Sequence, residues 1–363
     1  MKTLNELLNI VSQFQTEGNL VAAEPFGNGH INDTLKVTDA DGEIKYVLQR
    51  INHLIFTNVE MLQNNIHTVT THIREILEAK GETDIDRKVL TFLPTKEGLL
   101  YYFDGESYWR MCLFIPRSKS FEEVTPELSY EAGKAFGEFQ SMLSDLPAGA
   151  LGETIPNFHN MEFRLQQFHE AVAANAAGRL DEVKELVDAI ESRAEAMCIQ
   201  EKLYREGTLE KRTNHCDTKV NNIMFDEDGK VLCVIDLDTV MPGFVLSDIG
   251  DFIRTGANTG AEDDENLDNV NVNMEIFKAY TRGYMETAKA FLTPQEITLL
   301  PYGGRLLTYM QTVRFLTDYI NGDTYYKIHS PKHNLQRTLA QYKLLQSLEA
   351  NAPEMDAFMS EWL

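Results

Sequence analysis

The chain has 363 residues, with 33 Lys and Arg against 56 Asp and Glu, a formal net charge of −23. That length exceeds one ordinary core and suits two lobes or domains, and a composition of 43% hydrophobic and 25% charged residues is that of a folded globular chain. A surface this negative repels nucleic-acid phosphates and anionic lipid, so neither partner is expected.

The four cysteines, Cys112, Cys198, Cys216 and Cys233, form no CxxC pair and no zinc pattern with histidine. They read as buried thiols of a reducing compartment. The N-terminus carries Glu6 and Glu17 and no basic segment leading into an apolar one, so no signal peptide is expected. No apolar run approaches the roughly 20 residues of a bilayer span. A cytoplasmic protein, monomeric or a small homo-oligomer, is the expectation.

In chain order, Leu4, Leu7, Leu8, Val11 and Phe14 recur at helical spacing. Strand signals follow at 21–26, which runs into the turn Gly27-Asn28-Gly29-His30, and at 34–38 and 44–50, which flank an Asp-Gly pair suited to a hairpin. A polar helix is predicted over 59–80, then strands at 88–93, 99–103 and 108–115. These elements predict a small mixed α/β lobe over 1–115. The remainder, 116–363, reads as mainly helical. Thr125-Pro126 is a helix start with proline in the first turn, and Ala132, Phe136, Phe139, Leu143 and Leu146 line one face. Further helices are predicted at 163–176, 180–205, 274–289, 294–319 (capped by Thr293) and 335–349. A strand-rich interruption at 222–225 and 231–237 surrounds Asp226-Glu227-Asp228-Gly229. The acidic stretch 262–268 reads as a solvated loop. The fold class expected is α+β, with two lobes.

The chemistry concentrates in His215-Cys216-Asp217-Thr218-Lys219-Val220-Asn221-Asn222, followed by Ile235-Asp236-Leu237-Asp238. A short polar run precedes a hairpin whose second strand ends in Asp236, so the hairpin can bring Asp217, Asn222 and Asp236 to one edge. Carboxylate and amide oxygens are hard ligands suited to Mg2+, which takes one or two carboxylates plus substrate phosphates. Phosphoryl transfer needs such parts: a carboxylate to accept a hydroxyl proton, and an amide and a carboxylate to hold the metal on nucleotide phosphates. The spacing His-x-Asp-x-x-x-x-Asn equals that of a kinase catalytic loop.

On these motifs the sequence resembles the aminoglycoside phosphotransferase superfamily, which has a protein-kinase-like fold. Within it the sequence resembles N-acetylhexosamine 1-kinases through Gly27 to Thr34, Tyr46-Val47-Leu48-Gln49-Arg50, the 215–222 and 234–243 stretches, Asp248-Ile249-Gly250-Asp251, and 314–323. The resemblance implies a bilobal fold in which the first lobe covers ATP. It implies that Asp217 takes the proton of the acceptor hydroxyl, that Asn222 and Asp236 bind Mg2+, and that Gly27, Asn28 and Gly29 lie over the nucleotide phosphates. It further implies that His30 and Arg314, with Asp217, contact a sugar, and that His215 and Asp248 support the catalytic loop. Asp318 and Asp323 are the carboxylates nearest Arg314 in sequence, and either could share the sugar or pair with the arginine. The chain departs from the pattern where a phosphate-pairing lysine should end the third strand. Gln49 and Arg50 stand there, and alternation turns only one of them to the cleft. Arg50 is the candidate for the missing charge, and Glu60 for its helix partner. Other acceptors of the superfamily, such as amino alcohols and aminoglycosides, and a regulator that binds nucleotide without catalysis, remain open at this point.

Overall fold

The computed structural model describes residues 2–27, 31–147 and 149–363, so Asn28, Gly29 and His30 of the glycine turn lie outside the described residues. The chain divides into two compact units. The first comprises Met1–Ser120, Met142–Pro156 and Asn222–Met241, and the second Phe121–Ser141, Asn157–Asn221 and Pro242–Leu363.

The first unit is built on a five-stranded antiparallel sheet of β1 (Leu20–Pro25), β2 (Asp33–Asp39), β3 (Ile44–Ile51), β4 (Tyr102–Phe103) and β5 (Tyr108–Leu113), in the order β1-β2-β3-β5-β4. Strand alternation sends Leu35, Val37, Tyr46, Leu48, Trp109 and Met111 to one face. There they close a core with Leu7, Ile10 and Val11 of the first helix, Leu4–Val11. The β2–β3 turn is fixed by Asp39, whose Oδ1 accepts the N–H groups of Asp41 and Glu43 at 3.0 Å each, while Gly42 takes φ +84°. A helix over Val59–Ala79 is capped by Asn58 and buries Leu62, Ile66, Val69 and Ile73 as one stripe. A short hairpin, Ile223–Phe225 with Val231–Val234, completes the unit.

Two sequence expectations change here. The 88–93 stretch is not a strand. Its first residue ends a short helix, Ile85–Lys88, and the rest runs beside β5 through single hydrogen bonds such as Leu93 N–H to Met111 O, 2.8 Å. Regular strand at 99–103 is confined to Tyr102–Phe103.

The second unit is helical. Pro126–Met142 and Met274–Ala288 approach so closely that a Cβ on Gly133 would lie 2.0 Å from the Tyr280 carbonyl oxygen, and one on Gly283 2.0 Å from that of Tyr130. Pro294–Asn321 begins with a reciprocal capping box of Thr293 and Glu296. The helix that follows is longer than expected, His333–Met359, and carries Pro353 within it. The single helix expected at 180–205 is broken into a 3-10 turn and three helices, Lys184–Glu191, Ala194–Met197 and Ile199–Arg205. A helix over Val245–Gly256 was not anticipated. Most of it is buried, although its polar residues Ser247, Asp248, Asp251, Arg254 and Thr255 recur at helical spacing in the sequence. Among the described residues, no helix is long and apolar enough to cross a membrane.

Candidate active site

In the second unit, the polar run from His215 follows a short strand, Arg212–Asn214, and is held by the unanticipated helix Val245–Gly256. Asp248, fully buried, accepts the His215 N–H at 2.8 Å on one oxygen and the Cys216 N–H at 2.7 Å on the other. Gln140 donates a third bond to it at 2.6 Å, and the Gln140 carbonyl in turn receives the Tyr284 hydroxyl. Burial pushes the Asp248 carboxyl up to about 6, against the pull of His215 and of these donors. One turn on, Asp251 receives the Thr218 N–H at 3.1 Å and pairs with Arg254 at 3.0 Å. The His215 ring packs edge-on against Phe136 and Phe139, and its Nδ1 accepts the Asp217 N–H at 3.3 Å. Cys216 sits at φ +64°, a left-handed conformation that a non-glycine residue keeps only where its surroundings impose it. The result is a short loop with every turn fixed, presenting a partly exposed Asp217 whose carboxylate lies 2.8 Å from Lys219 Nζ.

Arg314 belongs to the same unit and lines a cavity of about 450 Å³ with Arg164, Gln167, Thr317, Tyr325 and Tyr326, among others. This size is ordinary for a small-ligand site. Arg314 lies over the Phe158 and Tyr326 rings and donates to Gln311 at 3.2 Å. Arg164 donates to Gln167 and to the Phe158 carbonyl, and its buried Nε meets no acceptor among the described residues. Burial and the neighbouring positive charge of Arg314 push Arg164 down to about 10. His159 lies within electrostatic reach of this pair and of Asp217. Burial, then Arg314, Arg164 and Arg254, push its imidazole down to about 3, while Asp217 pulls the other way. His159 therefore senses both the cavity arginines and Asp217.

Of the alternatives left open for Asp318 and Asp323, pairing with Arg314 is the one the structure addresses. Neither pairs with Arg314. Asp318 accepts the N–H groups of Thr324, Tyr325 and Tyr326 at 2.8, 2.8 and 2.9 Å and the Asn334 amide at 2.8 Å. Asp323 pairs with Arg179 at 2.6 Å. Both shape the loop that carries the two tyrosines.

In the first unit, the Ile235 N–H donates to the Asn222 carbonyl at 2.9 Å, so Asn222 and Asp236 leave the same end of one hairpin. Asp236 holds φ +58°, ψ +59°, the second left-handed non-glycine residue in these motifs. A 3-10 turn, Leu237–Thr239, follows. An amide and a carboxylate on one hairpin end fit the donor set magnesium needs, because phosphate oxygens and water complete its shell. Among the described residues, no three His, Cys, Asp or Glu side chains gather as a metal site by themselves.

Arg50 and Gln49 turn to opposite faces of the sheet, and Arg50 carries its own partner. It shares the sheet face of Tyr46 and Leu48, which the first helix covers, and pairs with Asp33 at 2.7 Å at the exposed end of the β2–β3 pair. Gln49 takes the other face. A buried cation on that face is Arg110 of β5, opposite Gln49 in register, which donates its Nε to Gln49 at 2.9 Å and pairs with Asp238. Glu60 is exposed in the first turn of its helix. Gly27 adopts φ +73°, which only glycine takes freely.

Sequence reasoning missed Arg110, Arg164, His159 and Gln140. Arg110 left a signal, a charge between Trp109 and Met111 in an otherwise apolar strand, which marks a buried partnered cation. The others left none.

A family model described as the phosphotransferase enzyme family matches residues 22–284, well over half of the chain. The chain belongs to this family. Among solved structures, this phosphotransferase is similar to spectinomycin phosphotransferase APH(9)-Ia in complex with ADP and spectinomycin. Identity is 14%, coverage 98% of this chain and 99% of that one, and the TM-score 0.58. It is similar also to an aminoglycoside phosphotransferase from Alicyclobacillus acidocaldarius subsp. acidocaldarius, at 12% identity, 98% and 94% coverage and a TM-score of 0.55. A third is an ethanolamine kinase of Plasmodium vivax, at 16% identity, 89% and 82% coverage and a TM-score of 0.55. At these identities the likeness establishes the fold. It is α+β and protein-kinase-like, as the sequence motifs implied.

Proposed function

We propose that this phosphotransferase is a magnesium-dependent kinase that moves the γ-phosphoryl group of ATP to the anomeric hydroxyl of an N-acetylhexosamine, N-acetylglucosamine or N-acetylgalactosamine. The acceptor oxygen bonds to the γ-phosphorus, the bond from that phosphorus to the β-phosphate bridging oxygen breaks, and ADP leaves. Asp217 receives the hydroxyl proton. The anomeric hydroxyl is the most acidic of a sugar's hydroxyls, so a carboxylate suffices as base when proton transfer is late in a loose transition state. Asn222 and Asp236 hold the magnesium ion, which neutralises charge on the β- and γ-phosphates. The glycine turn at Gly27, Asn28 and Gly29 covers the phosphates, and His30 and Arg314 contact the sugar.

One observation carries the choice of acceptor. Arg164 and Arg314 line one cavity, their charges and that of Asp217 all reach His159, and neither arginine has a carboxylate partner among the described residues. Of the cavity's own carboxylates, Asp318 is saturated by backbone donors, and Glu170 is exposed and receives the Gln166 amide. Two uncompensated guanidinium groups repel a polycationic aminoglycoside or an amino alcohol. They offer charge-assisted donors to the hydroxyl and acetamido oxygens of a neutral sugar, and Tyr325 and Tyr326 add the aromatic walls common in such sites.

The reading is tested by incubating the protein with ATP, Mg2+ and a panel of acceptors: N-acetylhexosamines, other free sugars, spectinomycin and ethanolamine. ADP is measured, and the product identified by phosphorus NMR. The expected result is a sugar 1-phosphate, with Asp217→Asn lowering kcat by about 10²–10⁴ while retaining Mg·ADP binding. Turnover of ethanolamine or spectinomycin with none on sugars would transfer the assignment to that second class. Phosphate on C6 would keep the kinase and overturn the 1-kinase.

A further inference from the structure

Gln49 stands where a kinase of this fold carries its phosphate-pairing lysine, and its side chain is fully engaged. Its carbonyl accepts Arg110 Nε at 2.9 Å, and its amide donates to Thr34 Oγ1 at 3.1 Å. A buried cation lies one strand across the sheet from Gln49, at Arg110, whose side chain is only 3% exposed. Arg110 pairs with Asp238, itself 4% exposed, and also lies in the field of Asp236. The second Asp238 oxygen accepts the Asn32 amide at 2.5 Å, and the Asn32 carbonyl accepts the Asn52 N–H at 2.9 Å. One carboxylate thus ties together β5, the residue that ends the glycine turn, and the 3-10 turn that follows Asp236.

A buried ion pair is a poor device for stability, because desolvation cancels most of the attraction. Its retention here coincides with a backbone that needs holding. Asp236 is left-handed, a conformation that is unfavourable for a non-glycine residue, and the pair clamps the residue two positions later. We infer that Arg110 is a positioning residue for metal binding: acting through Asp238, it fixes the Asp236–Asp238 turn so that Asp236 is aimed before the Mg-nucleotide arrives. Partners of this outer kind tune metal affinity by about 10–100-fold in metalloproteins generally.

The inference rests on the kinase reading but needs no acceptor to test. Arg110→Gln alone leaves Asp238 buried and unpaired and can fail to fold, so the decisive variant is the double replacement Arg110→Gln, Asp238→Asn, which removes both charges. Arg110→Lys, which keeps the charge and loses the fork, is measured beside it. The readout is ADP binding by calorimetry across a magnesium titration. The expected result is metal-free ADP affinity within about twofold of wild type for both variants, with the magnesium half-saturation point raised at least about tenfold in the double variant and about threefold in Arg110→Lys. A folded double variant with an unchanged magnesium requirement overturns the inference. If the double variant does not fold, an Arg110→Lys protein indistinguishable from wild type overturns it equally. A wild-type protein that binds no Mg·ADP would instead overturn the kinase reading, and this inference with it.

Discussion

Asp318→Asn isolates the loop that lines the Arg164–Arg314 cavity proposed to take the acceptor. In the wild type, one carboxylate oxygen takes the Thr324 and Tyr325 N–H groups, and the other takes the Tyr326 N–H and the Asn334 amide. Asparagine offers one oxygen and one NH2, so it serves one of these pairs and sets its own donor against the other. Two donors lose their acceptor. Each orphaned buried donor costs about 1–3 kcal/mol, and water reaching the loop beside the exposed Tyr325 relieves part of this. The expected loss is about 2–4 kcal/mol, a large fraction of the 5–15 kcal/mol that holds a typical domain. The 323–326 segment, freed from its anchor, no longer holds Tyr325 and Tyr326 beside Arg314. The acceptor KM should therefore rise about tenfold or more, as a loss of about 1.4 kcal/mol in binding requires. The KM for ATP should not change, since no nucleotide ligand is assigned to this loop. Urea denaturation, hydrogen exchange at residues 324–326 and the two KM values are the measurements. A variant that loses under about 0.5 kcal/mol and keeps its acceptor KM would show that the loop does not depend on the carboxylate, and the argument from hydrogen-bond accounting would be wrong.

Two further outcomes follow from the geometry. Burial raises the Asp248 carboxyl from 3.8 to about 6, so the folded state holds this proton more tightly than the unfolded chain. The resulting stability is complete below about pH 4 and is lost as pH rises to about 6, a change of about 3 kcal/mol. Wild type measured against Asp248→Asn should therefore lose relative stability between pH 4 and pH 7, and a flat difference would show that the buried carboxyl does not titrate there. Gly133→Ala places a methyl group against backbone that cannot yield. The gain in helix propensity, about 1 kcal/mol, is outweighed by overpacking of about 1–3 kcal/mol or more. Melting should drop, and turnover should fall with it, because the same helix carries Gln140 to Asp248. An unchanged or higher melting temperature would mean that the two helices have slack.

The sequence by itself determined what is written in contiguous residues. The 215–222 run and the Ile235-Asp236 strand end are local patterns, and they pointed to phosphoryl transfer before any fold was known. Strand signals and the Asp-Gly turn likewise located β1, β2, β3 and β5, because extended-favouring residues and turn residues are local features of the chain. Alternation also required Gln49 and Arg50 to face opposite ways. Which of them turns inward depends on which sheet face the first helix covers, and no local pattern encodes that. The helix Val245–Gly256 was missed although Val245, Leu246, Ile249, Phe252 and Ile253 recur at helical spacing, so the element itself was legible and only the burial of its polar face was not. Only the tertiary structure decided the partners. Arg110 meets Asp238 across more than a hundred residues, Gln140 reaches Asp248, and Arg164 joins Arg314 at a cavity where Asp318 is already satisfied. Charge and burial give a side chain its chemistry, and both are set by neighbours distant in the chain, so the reaction class was legible in the sequence while the residues that orient and select were not.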